Sequence, residues 1–165
     1  MRYGYFLLAG FLYLLASCAP QSTIYIVRHG ERANDSDTTS LSAAGLQRAE
    51  RLSQRLAGLP LDSIFVTPYT RTQQTAAPTA RSKGLPLTQY AVKPVTEIAD
   101  RVRRFRGKSA LVVGHSNTIL EIARALGASP TIREIRHTDY QYLLILRLRQ
   151  SSSGQQRVTL REDTY

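Results

Sequence analysis

Three short stretches of this 165-residue chain hold side chains suited to chemistry: Arg28-His29-Gly30, Arg71 within TPYTRTQQTA, and His115 within VVGHSN. Together they offer guanidinium groups and imidazoles, with no carboxylate at a comparable position. Such a set is a poor metal site, because guanidinium groups repel a cation and only His29 and His115 converge. It is a good anion site. A guanidinium fork matches paired phosphate oxygens in charge-assisted hydrogen bonds. A helix opening near Arg71 adds backbone N–H groups and a positive dipole end. Positive neighbours keep an imidazole neutral near pH 7, which makes it a nucleophile toward phosphorus. A second imidazole can donate to the charge that builds on phosphoryl oxygens.

Bringing these residues together is the task of the intervening elements. Ser22–Arg28 is apolar on both faces, as in a strand covered from both sides. Gly30–Ser40 reads as a loop. Ser42 caps a helix running through Leu56, with Leu46, Ala49, Leu52 and Leu56 at helical spacing. Leu61–Thr67 is a strand, and a helix from Arg71 to Ser82 is expected to kink at Pro78. Leu85–Tyr90 is strand-like, Thr96 caps a helix to Phe105, and Ser109–Val113 is a further strand. Asn117–Leu126 is helical and stops at Gly127; Tyr140–Arg149 and Arg157–Arg161 form a closing hairpin. Strands alternating with helices imply a mostly parallel sheet, whose ligands bind beyond the strands' carboxyl ends. All three stretches fall at that edge.

Four segments in this order resemble the histidine phosphatase superfamily, the phosphoglycerate mutase-like proteins. They are RHGE at Arg28–Glu31, LSAAGLQRA at Leu41–Ala49, TPYTRTQQTA at Thr67–Ala76 and VVGHSN at Val112–Asn117. The resemblance implies an α/β fold, a three-layer α/β/α sandwich, over residues 23–165. It implies a phosphatase acting on phosphomonoester or phosphoprotein substrates, with no cofactor and with His29 phosphorylated in turnover. Arg28, Arg71 and His115 would then form the phosphate pocket. Family members acting on ordinary phosphomonoesters carry a glutamate acid after the third strand. Glu97 is the candidate here, with Asp100 next, although Glu97 equally suits the first turn of its own helix. The asparagine that larger mutases place after RHGE is displaced: Asn34 comes one position early and Asp35 stands in its place. Asn117 either holds the His115 loop or caps the next helix. His137 has no motif around it. The reading from another class is a non-catalytic envelope lipoprotein that keeps the pocket as an anion-binding site.

The net charge of +10 draws anionic partners of any kind. The basic residues are scattered, apart from RVRRFR at Arg101–Arg106, which argues against a nucleic-acid stripe. Residues 1–17 read as a signal peptide, with Arg2 before an apolar run too short to span a bilayer. Leu15-Ala16-Ser17-Cys18 resembles a bacterial lipobox, and Cys18 is the chain's one cysteine, so no internal disulfide competes for it. Residues 18–22 would be the lipidated tether of a protein exported to the cell envelope and anchored to its membrane. Replacing Cys18 (Cys18→Ser) is expected to move the protein from the membrane to the soluble fraction on ultracentrifugation. Retention of the variant in the membrane pellet would remove lipidation as the anchor.

Overall fold

A computed structural model of the chain describes residues 20–151 and 155–165. The expected signal peptide and Cys18 lie outside the described residues. The elements run β1 Gln21–Arg28, α1 Ala43–Leu56, β2 Ser63–Val66, α2 Thr70–Lys83 and β3 Leu87–Gln89. They continue with α3 Val95–Arg103, β4 Ser109–Gly114, α4 Ile119–Ala125, β5 Tyr142–Gln150 and β6 Gln156–Thr164.

The strands form one six-stranded sheet in the order β3-β2-β4-β1-β5-β6. β3, β2, β4 and β1 are mutually parallel, and β5 and β6 close the sheet as an antiparallel hairpin. Alternation along the strands divides the core in two. Ile24, Ile26, Phe65 and Val112 pack against Ile98, Val102, Ile119 and Ile122 of α3 and α4. Tyr25, Val27, Ile64, Val66 and Val113 pack against Leu52, Leu56 and Ala76 of α1 and α2. The result is the three-layer α/β/α sandwich, with β1 and β4 central and buried on both faces.

Several boundaries differ from the sequence reading. β1 begins at Gln21, two residues into the expected tether, because its antiparallel register with β5 extends to Gln21↔Arg149. α2, Thr70–Lys83, is one residue longer at each end than expected, with Pro78 inside it and Thr72, Thr75, Ala76 and Thr79 buried. α3 starts at Val95 with Pro94 as its N-cap residue, and the Pro94 carbonyl accepts from Glu97 N–H at 3.2 Å. Thr96 is therefore inside the helix rather than its cap. α4 starts at Ile119, not Asn117, because the His115 carbonyl takes the N–H groups of both Thr118 and Ile119 and forms a turn first.

One close approach ties the helix layer to the loop after β1. Ser42 caps α1 by accepting from Gly45 N–H at 3.1 Å, and Ser42 N–H donates to the Glu31 carbonyl at 2.9 Å. Gly45 then lies so near Gly30 and Glu31 that a Cβ on it would sit 2.3 Å from the Glu31 oxygen. Alanine at a helical glycine normally gains up to about 1 kcal/mol. Here Gly45→Ala is expected to lose about 1–3 kcal/mol, as overpacking does, and to lose activity with it. Urea unfolding and a phosphatase assay on the same preparation check this; a variant as stable as the parent would show that the loop yields freely.

Candidate active site

The first strand delivers Arg28 and His29, and the sheet itself brings the second histidine alongside. Arg28 pairs in register with Gly114 of β4, and His29 N–H continues the ladder by donating to the Gly114 carbonyl at 3.0 Å. His115, the next residue, thus stands beside His29, with ring centroids 5.4 Å apart. Gly114 must be bare, since a Cβ there would meet Thr118 Oγ1 at 3.0 Å and the Tyr90 hydroxyl at 3.1 Å. α2 adds Arg71 from its first turn and is pinned to the same loop by Thr75. Its Oγ1 accepts from Gly30 N–H at 2.9 Å and donates to the Arg71 carbonyl at 2.7 Å.

These residues line one cavity of about 410 Å³, together with Arg32, Tyr69, Val92, Ser116, Asn117 and His137. Arg28, His29, Arg71 and His115 are all buried. His29 Nδ1 lies 2.8 Å from the Gly30 carbonyl. A carbonyl only accepts, so Nδ1 carries the proton and the Nε2 lone pair is left for attack. Burial, and then the charges of Arg28 and Arg71, hold the His29 pKa down at about 3. Burial followed by the same arginines holds His115 at about 4. Both rings are neutral at pH 7. His115 Nε2 meets Thr67 Oγ1 at 3.0 Å, and Thr67 Oγ1 meets Thr72 Oγ1 at 3.0 Å, which fixes the ring and leaves Nδ1 for a ligand.

Each arginine is oriented by a tyrosine and by backbone oxygens. The Arg28 guanidinium stacks on Tyr140 at 4.1 Å, and its NH1 donates to the carbonyls of Arg136, His137 and Asp139. The Arg71 guanidinium stacks on Tyr69 at 4.3 Å, and its NH1 donates to the Asp37 carbonyl. The Nε atoms of Arg28 and Arg71 are buried without a hydrogen-bond partner in the protein. Buried donors of a cation call for an acceptor, and an anion's oxygens have the charge that suits them.

The structure leaves other candidates elsewhere. Glu97 is exposed in the first turn of α3 and is not among the residues lining the cavity; Asp100 is exposed further along the same helix. From the loop after β3, Val92 reaches the cavity instead. Asn117 is exposed in the turn before α4 and lines the cavity. Asn34 and Asp35 lie in an adjoining cavity. Sequence reasoning missed Tyr69, Tyr140 and Thr67, and gave His137 no role. Tyr69 and Thr67 fall inside a quoted motif, whereas Tyr140 and His137 have no local signal.

Two buried neutral imidazoles make the fold acid-sensitive in a defined window. An unfolded histidine takes a proton near pH 6.5, whereas His29 and His115 refuse one until about 3 and about 4. The unfolded chain therefore binds more protons below pH 6.5, and stability falls as pH falls through that range. The loss from these two groups between pH 7 and 5 is expected to be on the order of 3 kcal/mol in phosphate-free buffer. Urea unfolding at both pH values, with the double variant His29→Asn/His115→Asn as reference, measures it. An equal loss in parent and double variant would show that these imidazoles do not govern it.

Known proteins share this fold. The family described as histidine phosphatase superfamily (branch 1) matches residues 24–92. No curated protein sequence matches the chain. Among solved structures, the protein histidine phosphatase SixA complexed with tungstate superposes with TM-score 0.60 at 18% identity, over 86% of this chain and 96% of its own. A phosphoglycerate mutase from Plasmodium falciparum gives TM-score 0.61 at 19% identity, over 87% and 91%. Mycobacterial hydrolase 1 gives 0.66 at 14%, over 88% and 100%. These likenesses carry the fold, and the family match carries the motifs RHGE and TPYTRTQQTA within it. Residues 24–92 thus resemble the histidine phosphatase superfamily, and the chain has the phosphoglycerate mutase-like fold.

Proposed function

We propose that this histidine-type phosphatase removes the phosphoryl group of a phosphorylated small molecule or phosphoprotein by way of phosphohistidine at His29. The observation that carries the reading is the pairing of a free Nε2 on neutral His29 with buried, unpartnered Nε donors on Arg28 and Arg71. The phosphoryl oxygens dock on the two guanidinium groups and on His115 Nδ1. His29 Nε2 attacks phosphorus, the leaving group departs, and water then hydrolyses the phosphohistidine. Arg28 and Arg71 neutralise charge that grows on the equatorial oxygens.

Chain length supports an open site. Only β3, α3 and short connections lie between α2 and β4, which leaves no segment long enough for a lid. A protein-borne phosphoryl group, or a range of small substrates, can therefore reach His29. A phosphoryl group on an imidazole nitrogen asks least of an acid, since imidazole is a good leaving group. SixA, one of the structural neighbours, is itself described as a protein histidine phosphatase. Lipid anchoring at Cys18 belongs to the same proposal. β1 starts at Gln21, so the anchor would hold the domain close to the bilayer. The cavity lies at the far end of β1, about 25 Å away at the rise of a strand, and would face the aqueous side.

The test is turnover of 4-nitrophenyl phosphate, whose leaving group needs little protonation. The parent is expected to cleave it, and His29→Asn to lose at least about a thousandfold in kcat/KM, as removal of a covalent nucleophile does. A folded parent that binds phosphate without turnover would favour the anion-binding lipoprotein instead. Activity of His29→Asn within tenfold of the parent would overturn the phosphohistidine route.

A further inference from the structure

No carboxylate lines the phosphate cavity among the described residues, so the proton for a departing alkoxide must come from another group. His137 stands at the right place. It lines the phosphate cavity and also the adjoining one, whose walls are Arg32, Asn34, Asp35, His137 and Tyr140. Arg32 and His137 are common to both, so they mark the junction between them. His29 is buried and His137 exposed, so in-line attack by His29 would send the leaving atom toward the exposed side of the cavity, which His137 borders.

The backbone at His137 is held in place, and its side chain is exposed. Its own carbonyl, with those of Arg136 and Asp139, accepts from the buried Arg28 guanidinium at 2.8–3.1 Å. Asp139 then closes the turn by accepting from Arg136 N–H at 3.0 Å. The arginine that grips the phosphate thus also anchors the segment that carries the imidazole. Asp35 borders only the outer cavity, and its Oδ1 already accepts from Arg32 at 2.6 Å.

We propose that His137 is the proton donor to the leaving group, and that the adjoining cavity receives that group as a polar, hydroxyl-bearing alcohol. This rests on the phosphatase reading above. In the first half-reaction the His29 Nε2–phosphorus bond forms as the bond from phosphorus to the leaving oxygen breaks. The electron pair passes to that oxygen, which takes a proton from the His137 imidazolium. In the second half, neutral His137 takes a proton from water as the water oxygen bonds phosphorus and the electron pair returns to Nε2. Inorganic phosphate departs, and His137 is again protonated. Asn34, Asp35, Arg32 and Tyr140 give the outer cavity both donors and acceptors, which suits hydroxyl groups rather than an apolar tail.

The experiment compares glycerol phosphate with 4-nitrophenyl phosphate in the parent, His137→Gln and Glu97→Gln. General-acid loss is expected to lower kcat/KM roughly 100-fold for His137→Gln on glycerol phosphate, and only about threefold on the aryl ester. Glu97→Gln, exposed on the first turn of α3 and outside both cavities, should show no such preference. Equal losses on both substrates for His137→Gln would make it a packing or docking residue and overturn the proposal. So would a leaving-group-dependent loss in Glu97→Gln instead. A parent that cleaves the aryl ester and not glycerol phosphate also overturns it, while leaving the phosphatase reading intact. A parent that cleaves neither would instead sink the phosphatase reading.

Discussion

Two guanidinium groups buried side by side with two imidazoles are the constraint on which the rest of this structure depends. Like charges in a desolvated place repel, and a buried cation with idle donors is costly. The protein offsets this with neutral partners. Arg28 takes three backbone carbonyls and the face of Tyr140, and Arg71 takes the Asp37 carbonyl and the face of Tyr69. Neutral partners leave the positive potential uncancelled, whereas carboxylates would have consumed it. Burial first, and that potential second, keep His29 and His115 unprotonated, while the two Nε donors have no partner in the protein.

Such a cluster holds only if the elements carrying it cannot drift apart. The parallel β1–β4 ladder sets the two histidines side by side through the bond from His29 N–H to Gly114. Thr75 joins the loop after β1 to α2, and Gln74 Oε1 accepts from Leu41 N–H at 2.7 Å, so α2 grips both ends of the long loop. Behind the site, Glu31 forms a two-pronged ion pair with Arg48 of α1, at 2.6–3.0 Å and partly buried. Its geometry is bidentate, the kind that outperforms exposed surface pairs. The Gly30–Gly45 approach lets α1 come close enough for that pair to form.

Legibility in the sequence follows the range of each signal. β1, α1 and β4 announce themselves by local periodicity, and their bounds fall within one or two residues of expectation. Arg28, His29, Arg71 and His115 stand in compact motifs at strand ends, and parallel topology alone predicts that they meet. Helix starts read less well. α3 begins at Pro94 and α4 after a turn, because backbone carbonyls of Pro94 and His115 took the work expected of Thr96 and Asn117 side chains. Glu97 looked like an acid from its place in the chain, yet a helix start directs it to solvent while Val92 turns inward. Tyr140 and His137 had no signal at all. Their positions are set by where the chain between α4 and β5 folds over Arg28, more than a hundred residues away in sequence. No local pattern encodes a contact of that range.

The central claim is that His29 reacts through Nε2, since Nδ1 is committed to the Gly30 carbonyl at 2.8 Å. The direct measurement is rapid alkaline quenching of the enzyme during turnover of 4-nitrophenyl phosphate. Phosphorus NMR on the peptide containing residue 29 then locates the phosphoryl group. Nε2-phosphohistidine at His29 is expected, formed and lost at rates no slower than kcat. Phosphoryl on Nδ1, on another residue, or on none while turnover proceeds would contradict it.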